Sequence, residues 1–139
     1  MTYWVKVDYE RKKFVVDLER ISSFVCAPNG RITFWLPDSS IPVIINKNTH
    51  PDDYNQVIEY INQLFGSPFG GAWLRLFYER NEYVIDLSQI SSFCYSEQGK
   101  ITFWLPDSAT PIVISKQSDP QDYQKLLDFV STKTGYSLP

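Results

Sequence analysis

The stretch Ile32-Thr33-Phe34-Trp35-Leu36-Pro37-Asp38-Ser39 recurs without change as residues 101–108. A shift of 69 positions superimposes the two stretches, and the same shift aligns residues 4–66 with residues 73–135 without a gap. Of the 63 aligned pairs, 27 are identical. Self-similarity at a fixed period is the signature of a repeated structural unit, so the sequence predicts an internal duplication.

The predicted organisation is a first repeat over residues 1–66, a linker over residues 67–72 and a second repeat over residues 73–135, all within one compact domain. The linker contains Ser, Pro and Gly, which are typical of a connection between structural elements. A chain of 139 residues suits a single domain of this kind.

Each repeat is expected to contain five strands followed by one helix. In the first repeat the apolar pattern predicts strands over residues 3–9, 14–18, 21–26, 32–36 and 41–45. A four-residue loop over residues 10–13 would place Lys6 opposite Asp17, and its counterpart would place Arg75 opposite Asp86. The second hairpin turns at residues 37–40, where Pro37 suits a type I turn.

Helices are predicted to begin at Pro51 and Pro120, because Pro is favoured at the first helical position. Asp119 and Asp122 resemble a capping box. The predicted fold class is therefore α+β: a duplicated β-β-β-β-β-α unit whose antiparallel sheets are each covered by one helix, related by a pseudo-twofold axis.

The pattern leaves apolar bulk on the sheet face that a helix does not cover. The candidate interaction surface lies there and in the adjoining turns; it consists of Trp35, Pro37, Asp38, Pro42, Trp104, Pro106, Asp107 and Pro111. These faces could pack against each other, meet a second chain, or stay exposed as a binding surface. The sequence leaves these alternatives open.

Catalytic machinery is not evident in the sequence. A single histidine, His50, and two cysteines at non-equivalent positions, Cys26 and Cys94, argue against a metal cluster, a disulfide scaffold or a catalytic triad. Asp38 and Asp107 lie in Pro-Asp-Ser turns, where a carboxylate normally binds nearby backbone. We therefore predict a protein that is not an enzyme, with no catalytic residue, no metal and no cofactor.

Charge argues against nucleic acid as a partner, because 13 basic residues face 16 acidic ones and the net charge is -3. The favoured hypothesis is a small protein-interaction or self-associating module, with an unknown protein partner or a homo-oligomer. One alternative is single-stranded nucleic-acid binding through sheet-face Trp residues, since aromatic residues make up 16% of the chain. Another is a small-ligand site at the junction of the two repeats.

Two families are similar to the predicted unit in outline. A duplicated sheet followed by a helix resembles PUR-type single-stranded nucleic-acid binders, and more loosely pleckstrin-homology-like domains, which mostly bind proteins or lipids. Neither resemblance carries over a functional residue. The first residues of the chain lack a signal-peptide pattern, and no apolar run suits a membrane span, so a cytoplasmic protein without membrane association is expected.

Overall fold

The fold is taken from a computed structural model, which describes residues 2–37, 39–66, 73–108 and 110–138. The predicted linker, residues 67–72, lies outside the described residues, as does Asp38.

The two halves contain the same elements in the same order. The first half consists of β1 (Trp4–Tyr9), β2 (Lys12–Asp17), β3 (Ser23–Ala27), β4 (Arg31–Trp35), β5 (Pro42–Asn46) and helix α1 (Pro51–Gly66). The second consists of β6 (Trp73–Tyr78), β7 (Asn81–Asp86), β8 (Phe93–Ser96), β9 (Lys100–Trp104), β10 (Pro111–Ser115) and helix α2 (Pro120–Thr134). Short 3-10 helices are formed by Leu18–Arg20, Leu87–Gln89 and Pro106–Ser108. The predicted α+β class is confirmed, and the matching order is compatible with a duplicated unit.

The strands form three antiparallel sheets, a detail that the sequence left open. The central sheet has the order β5-β4-β3-β7-β6, while β1-β2 and β10-β9-β8 form sheets of two and three strands. The halves share the central sheet because β3 pairs with β7, which places Phe24 opposite Val84.

Two hydrophobic clusters lie on opposite faces of the central sheet. Phe24 belongs to the first cluster, with β1, β2 and α1, whereas its neighbour Val25 belongs to the second, with β9, β10 and α2. Successive side chains of a strand point to opposite faces, so β3 contributes to both clusters. Val84 on β7 likewise packs in the first cluster. The halves are therefore interlocked.

The first hairpin differs from its predicted register. Its turn is the residue pair Glu10 and Arg11, with φ of 54° and 61°, so the connection has two residues instead of four. Two residues with positive φ suit a tight turn that follows the right-handed twist of the strands. As a result Lys6 lies opposite Val15 and Arg75 lies opposite Val84, and the predicted pairing of these cations with Asp17 and Asp86 is wrong.

Asp17 has a different structural role. Its Oδ1 accepts hydrogen bonds from the backbone N–H of Tyr3 at 2.9 Å and of Glu19 at 3.1 Å. Asp86 has the corresponding role in the second half, where its Oδ1 accepts a hydrogen bond from the backbone N–H of Ser88 at 3.0 Å. Both carboxylates cap the 3-10 helix that follows the hairpin.

The second hairpin and the helix starts match the predictions. Phe34 lies opposite Val43, and Pro42 lies in β5 at an edge of the central sheet. The helices begin at Pro51 and Pro120. The capping box is wrong, however, because Asp119 makes no side-chain capping hydrogen bond among the described residues.

Candidate functional site

The predicted interaction surface is divided between two sheets. Trp35 pairs with Pro42 across β4 and β5, and Trp104 pairs with Pro111 across β9 and β10. Trp35 is half-buried against the second hydrophobic cluster, while Trp104 is 43% exposed.

A cavity of about 430 Å³ lies where the two halves meet, and it brings Pro37, Pro106 and Asp107 together. Its lining is formed by Glu19, Arg20, Ile21, Ser22, Pro37, Asp86, Gln89, Pro106 and Asp107. Three carboxylates against one guanidinium give it an acidic character, which would repel a phosphate group. The described residues contain no group of three or more His, Cys, Asp or Glu side chains arranged to hold a metal ion.

Basic side chains gather at the opposite end of the strands. The backbone N–H of Lys47 donates to the carbonyl of Gly30 at 2.8 Å, which joins the β3–β4 turn to the β5–α1 loop. Gly30 has φ +84°, and a Cβ built there would lie 3.3 Å from Lys47 Cβ, so this close approach favours glycine. Arg31 lies at the start of β4, opposite Asn46 at the end of β5, so Arg31 and Lys47 lie at the same end of these two strands.

The β1–β2 hairpin reaches the same end. The backbone N–H of Asp8 donates to Asp53 Oδ2, in the first turn of α1, at 3.0 Å. The hairpin tip therefore lies beside the loop that carries Lys47. Its cations Arg11, Lys12 and Lys13 are exposed.

We call these five cations, Arg11, Lys12, Lys13, Arg31 and Lys47, the basic loop end. Among the described residues, none of these cations forms an ion pair with a carboxylate. The ion pair found there joins Arg75 Nε to Glu82 Oε1 at 3.3 Å. Lys47 Nζ lies 5.9 Å from the centroid of the Tyr54 ring.

Four acidic residues accompany the five cations, namely Asp8, Glu10, Asp52 and Asp53, so the local excess is one positive charge. Of these, Asp53 is engaged by the Asp8 amide. Arg31 and Trp35, at opposite ends of β4, are about 14 Å apart at the usual rise of a strand. This exceeds the distance of about 8–10 Å over which salt screens charges. Salt therefore largely screens the charges of the basic loop end from those of the acidic cavity.

Sequence reasoning did not identify the basic loop end, because it assigned residues 10–13 to an ordinary loop. A usable signal lay in the differences between the repeats. Lys12 and Lys13 align with Asn81 and Glu82, so the second copy of the hairpin lacks this charge. The net charge of -3 is a sum over the whole chain, so it does not show that basic and acidic side chains gather at different ends of the molecule.

Neither helix in the described part of the chain has the length and apolar character needed to cross a membrane.

No family model matches the chain, and no curated protein sequence matches it. The structure is similar to that of the LytTr DNA-binding domain of a protein from Bacillus cereus described as a methyl-accepting/DNA response regulator. The TM-score is 0.50 and the sequence identity is 12%, and the match covers 89% of this chain and 95% of that domain. At this identity the likeness shows a shared fold.

This comparison corrects the expected function and partner. The prediction of a protein-interaction or self-associating module, with nucleic acid argued against, is wrong, because the similar structure is a DNA-binding domain and not an interaction module. The physical reason for the error is the use of net charge for a molecule whose charges are separated between two ends. The fold of the chain is therefore similar to that of a LytTr DNA-binding domain.

Proposed function

We propose that this chain is a non-enzymatic DNA-binding protein that contacts the phosphate backbone through the basic loop end. The observation that carries the proposal is the structural likeness, which spans 95% of a DNA-binding domain. Since a fold by itself does not determine function, the placement of the cations is an independent support.

The basic loop end has the properties that backbone binding needs. Its cations are exposed or lie on turns, and the described carboxylates do not form ion pairs with them. Each phosphate neutralised by Lys or Arg releases condensed counterions, which makes the affinity for duplex DNA fall with salt. Five contacts would give a slope of about −4 to −5 in a plot of log affinity against log salt concentration.

Single-stranded nucleic-acid binding through Trp residues is the second candidate. Trp104 is 43% exposed and Trp4 is 60% exposed, so both rings have surface on which a base could stack. Trp35 has less surface because it packs against the second cluster. This candidate predicts a preference for single strands and quenching of Trp fluorescence.

Two further expectations belong to the proposal. The chain is divided into repeats over residues 1–66 and 73–135, and it acts in the cytoplasm.

The test is fluorescence anisotropy with a labelled duplex of about two helical turns and the matching single strand. We expect duplex binding that weakens by about 10²–10³-fold between about 50 and 200 mM salt. The variant R31A/K47A should bind more weakly than the wild type. The control K125A/K133A removes the same charge from exposed positions of α2 and should leave the affinity close to the wild-type value.

Failure to bind either nucleic acid at the lower salt concentration would refute the proposal. Binding of the single strand alone, with quenching of Trp fluorescence, would favour the second candidate.

A further inference from the structure

The two copies of the N-terminal hairpin have different surroundings. The hairpin β1–β2 forms a two-stranded sheet of its own, whereas β6–β7 is joined to β3 within the central sheet. The matched residues Val15 and Val84 show the consequence. Val15 is 64% exposed, and Val84 is fully buried opposite Phe24.

The β1–β2 hairpin, which we call the first ribbon, has an inner and an outer face. Val5, Val7 and Val16 on the inner face belong to the first hydrophobic cluster. The outer face is exposed along most of its length; it carries Trp4, Lys6, Lys13 and Val15, together with Asp8 opposite Lys13 and the buried Asp17 opposite Trp4. At the tip, Arg11 and Lys12 add two positive charges and Glu10 adds one negative charge.

The β6–β7 hairpin, which we call the second ribbon, lacks these properties. Residues 4–17 contain four basic and three acidic side chains, while residues 73–86 contain two basic and three acidic ones. Of the cations in the second ribbon, Arg75 forms an ion pair with Glu82 and lies 4.5 Å from the centroid of the Phe65 ring.

The first ribbon is held firmly at both ends. Near the tip the Asp8 amide is bonded to the Asp53 carboxylate, and at the base the N–H of Leu18 donates to the Tyr3 carbonyl at 2.9 Å. A ribbon fixed in this way can be presented to a partner without the entropic cost of ordering a mobile loop.

We propose that the first ribbon enters the major groove of duplex DNA and that the second ribbon does not. The inference rests on the proposed function and adds the element that makes the contact. The major groove is about 12 Å wide and admits a two-stranded ribbon. Lys6, Lys13 and the tip cations would face phosphates and guanine acceptors, and the Val15 methyl groups are suited to thymine methyl groups.

The ribbons offer a matched pair of variants. Arg11 and Arg80 occupy the same turn position, with φ of 61° and 70°, so the substitutions R11Q and R80Q disturb the backbone equally. We expect R11Q to weaken duplex binding about tenfold and R80Q to leave it within about twofold, in line with the loss of one specific contact. The variant K12N/K13E gives the first ribbon the residues that the second ribbon has at the matched positions, Asn81 and Glu82. It should weaken duplex binding more than R11Q does.

Groove occupancy is tested on the wild type with methyl green, which occupies the major groove, and distamycin, which occupies the minor groove. Methyl green should displace the protein, and distamycin should not. Melting temperatures of all variants, followed by circular dichroism, should match the wild type and so exclude unfolding as the cause.

The outcomes separate the two proposals. A wild-type protein that binds no DNA overturns both. Binding by the wild type with equal losses in R11Q and R80Q, or with full affinity in K12N/K13E, overturns the assignment to the first ribbon and leaves DNA binding intact. Displacement by distamycin and not by methyl green overturns the placement in the major groove.

Discussion

At the scale of the residue, Cys26 shows how the second half alters the chemistry of the first. It lies on β3 opposite Glu82 of β7. The pKa of its thiol is raised from 9.0 to about 11, mainly because the thiol is buried and in part because of the Glu82 carboxylate, while Arg75 acts in the opposite direction. Because the thiolate is the reactive form, each pKa unit lowers the reactive fraction about tenfold at neutral pH.

We therefore predict that iodoacetamide alkylates Cys26 at least ten times more slowly than the exposed Cys94 at a pH near 8. Mass spectrometry of the digested protein measures both rates in one sample. The substitution E82Q should accelerate the reaction of Cys26, because it removes a charge that opposes the thiolate. Equal rates at the two cysteines would contradict the placement of Cys26 beside β7.

At the scale of the element, the pairing of β3 with β7 makes the two halves different, because β7 is covered by a neighbouring strand and its counterpart β2 is not. Val84 is fully buried in this pairing, whereas Val15, at the matched position of β2, is 64% exposed. A buried carboxylate without a partner is among the most destabilising changes, so V84D should lower the free energy of unfolding by more than about 4 kcal/mol or prevent folding. V15D should change it by less than about 0.5 kcal/mol.

Urea unfolding, followed by circular dichroism, compares the two variants with the wild type. Similar losses of stability in V84D and V15D would mean that β2 is covered as β7 is, and would contradict the three-sheet arrangement.

At the scale of the whole molecule, much of the architecture could be predicted from local patterns. The identical block at residues 32–39 and 101–108 indicates the duplication, and its alternating apolar residues predict the hairpin register that pairs Phe34 with Val43. The helix starts at Pro51 and Pro120 follow from the geometry of proline. These features depend on neighbouring residues, which the sequence records directly.

Features that join distant residues could not be predicted in this way. Identical residues at position 15 and position 84 have opposite burial, because the shared sheet breaks the equivalence of the halves. The basic loop end combines the tip of one hairpin with Arg31 at the start of β4 and Lys47 in the loop after β5. The hydrogen bonds from the Lys47 amide to the Gly30 carbonyl and from the Asp8 amide to Asp53 bring these segments together. The net charge of the chain sums these cations with acidic residues that lie far from them, so it does not reveal a local positive surface.

The most direct measurement of the central claim is a map of backbone amide chemical shifts during titration with duplex DNA. The account predicts the largest changes in β1–β2 and its tip, with smaller changes at Arg31 and Lys47. Amides that line the cavity at Pro37 and Pro106 should stay constant. Changes centred on that cavity, on the second ribbon or on the Trp35 and Trp104 hairpins, or no changes at all, would contradict the account.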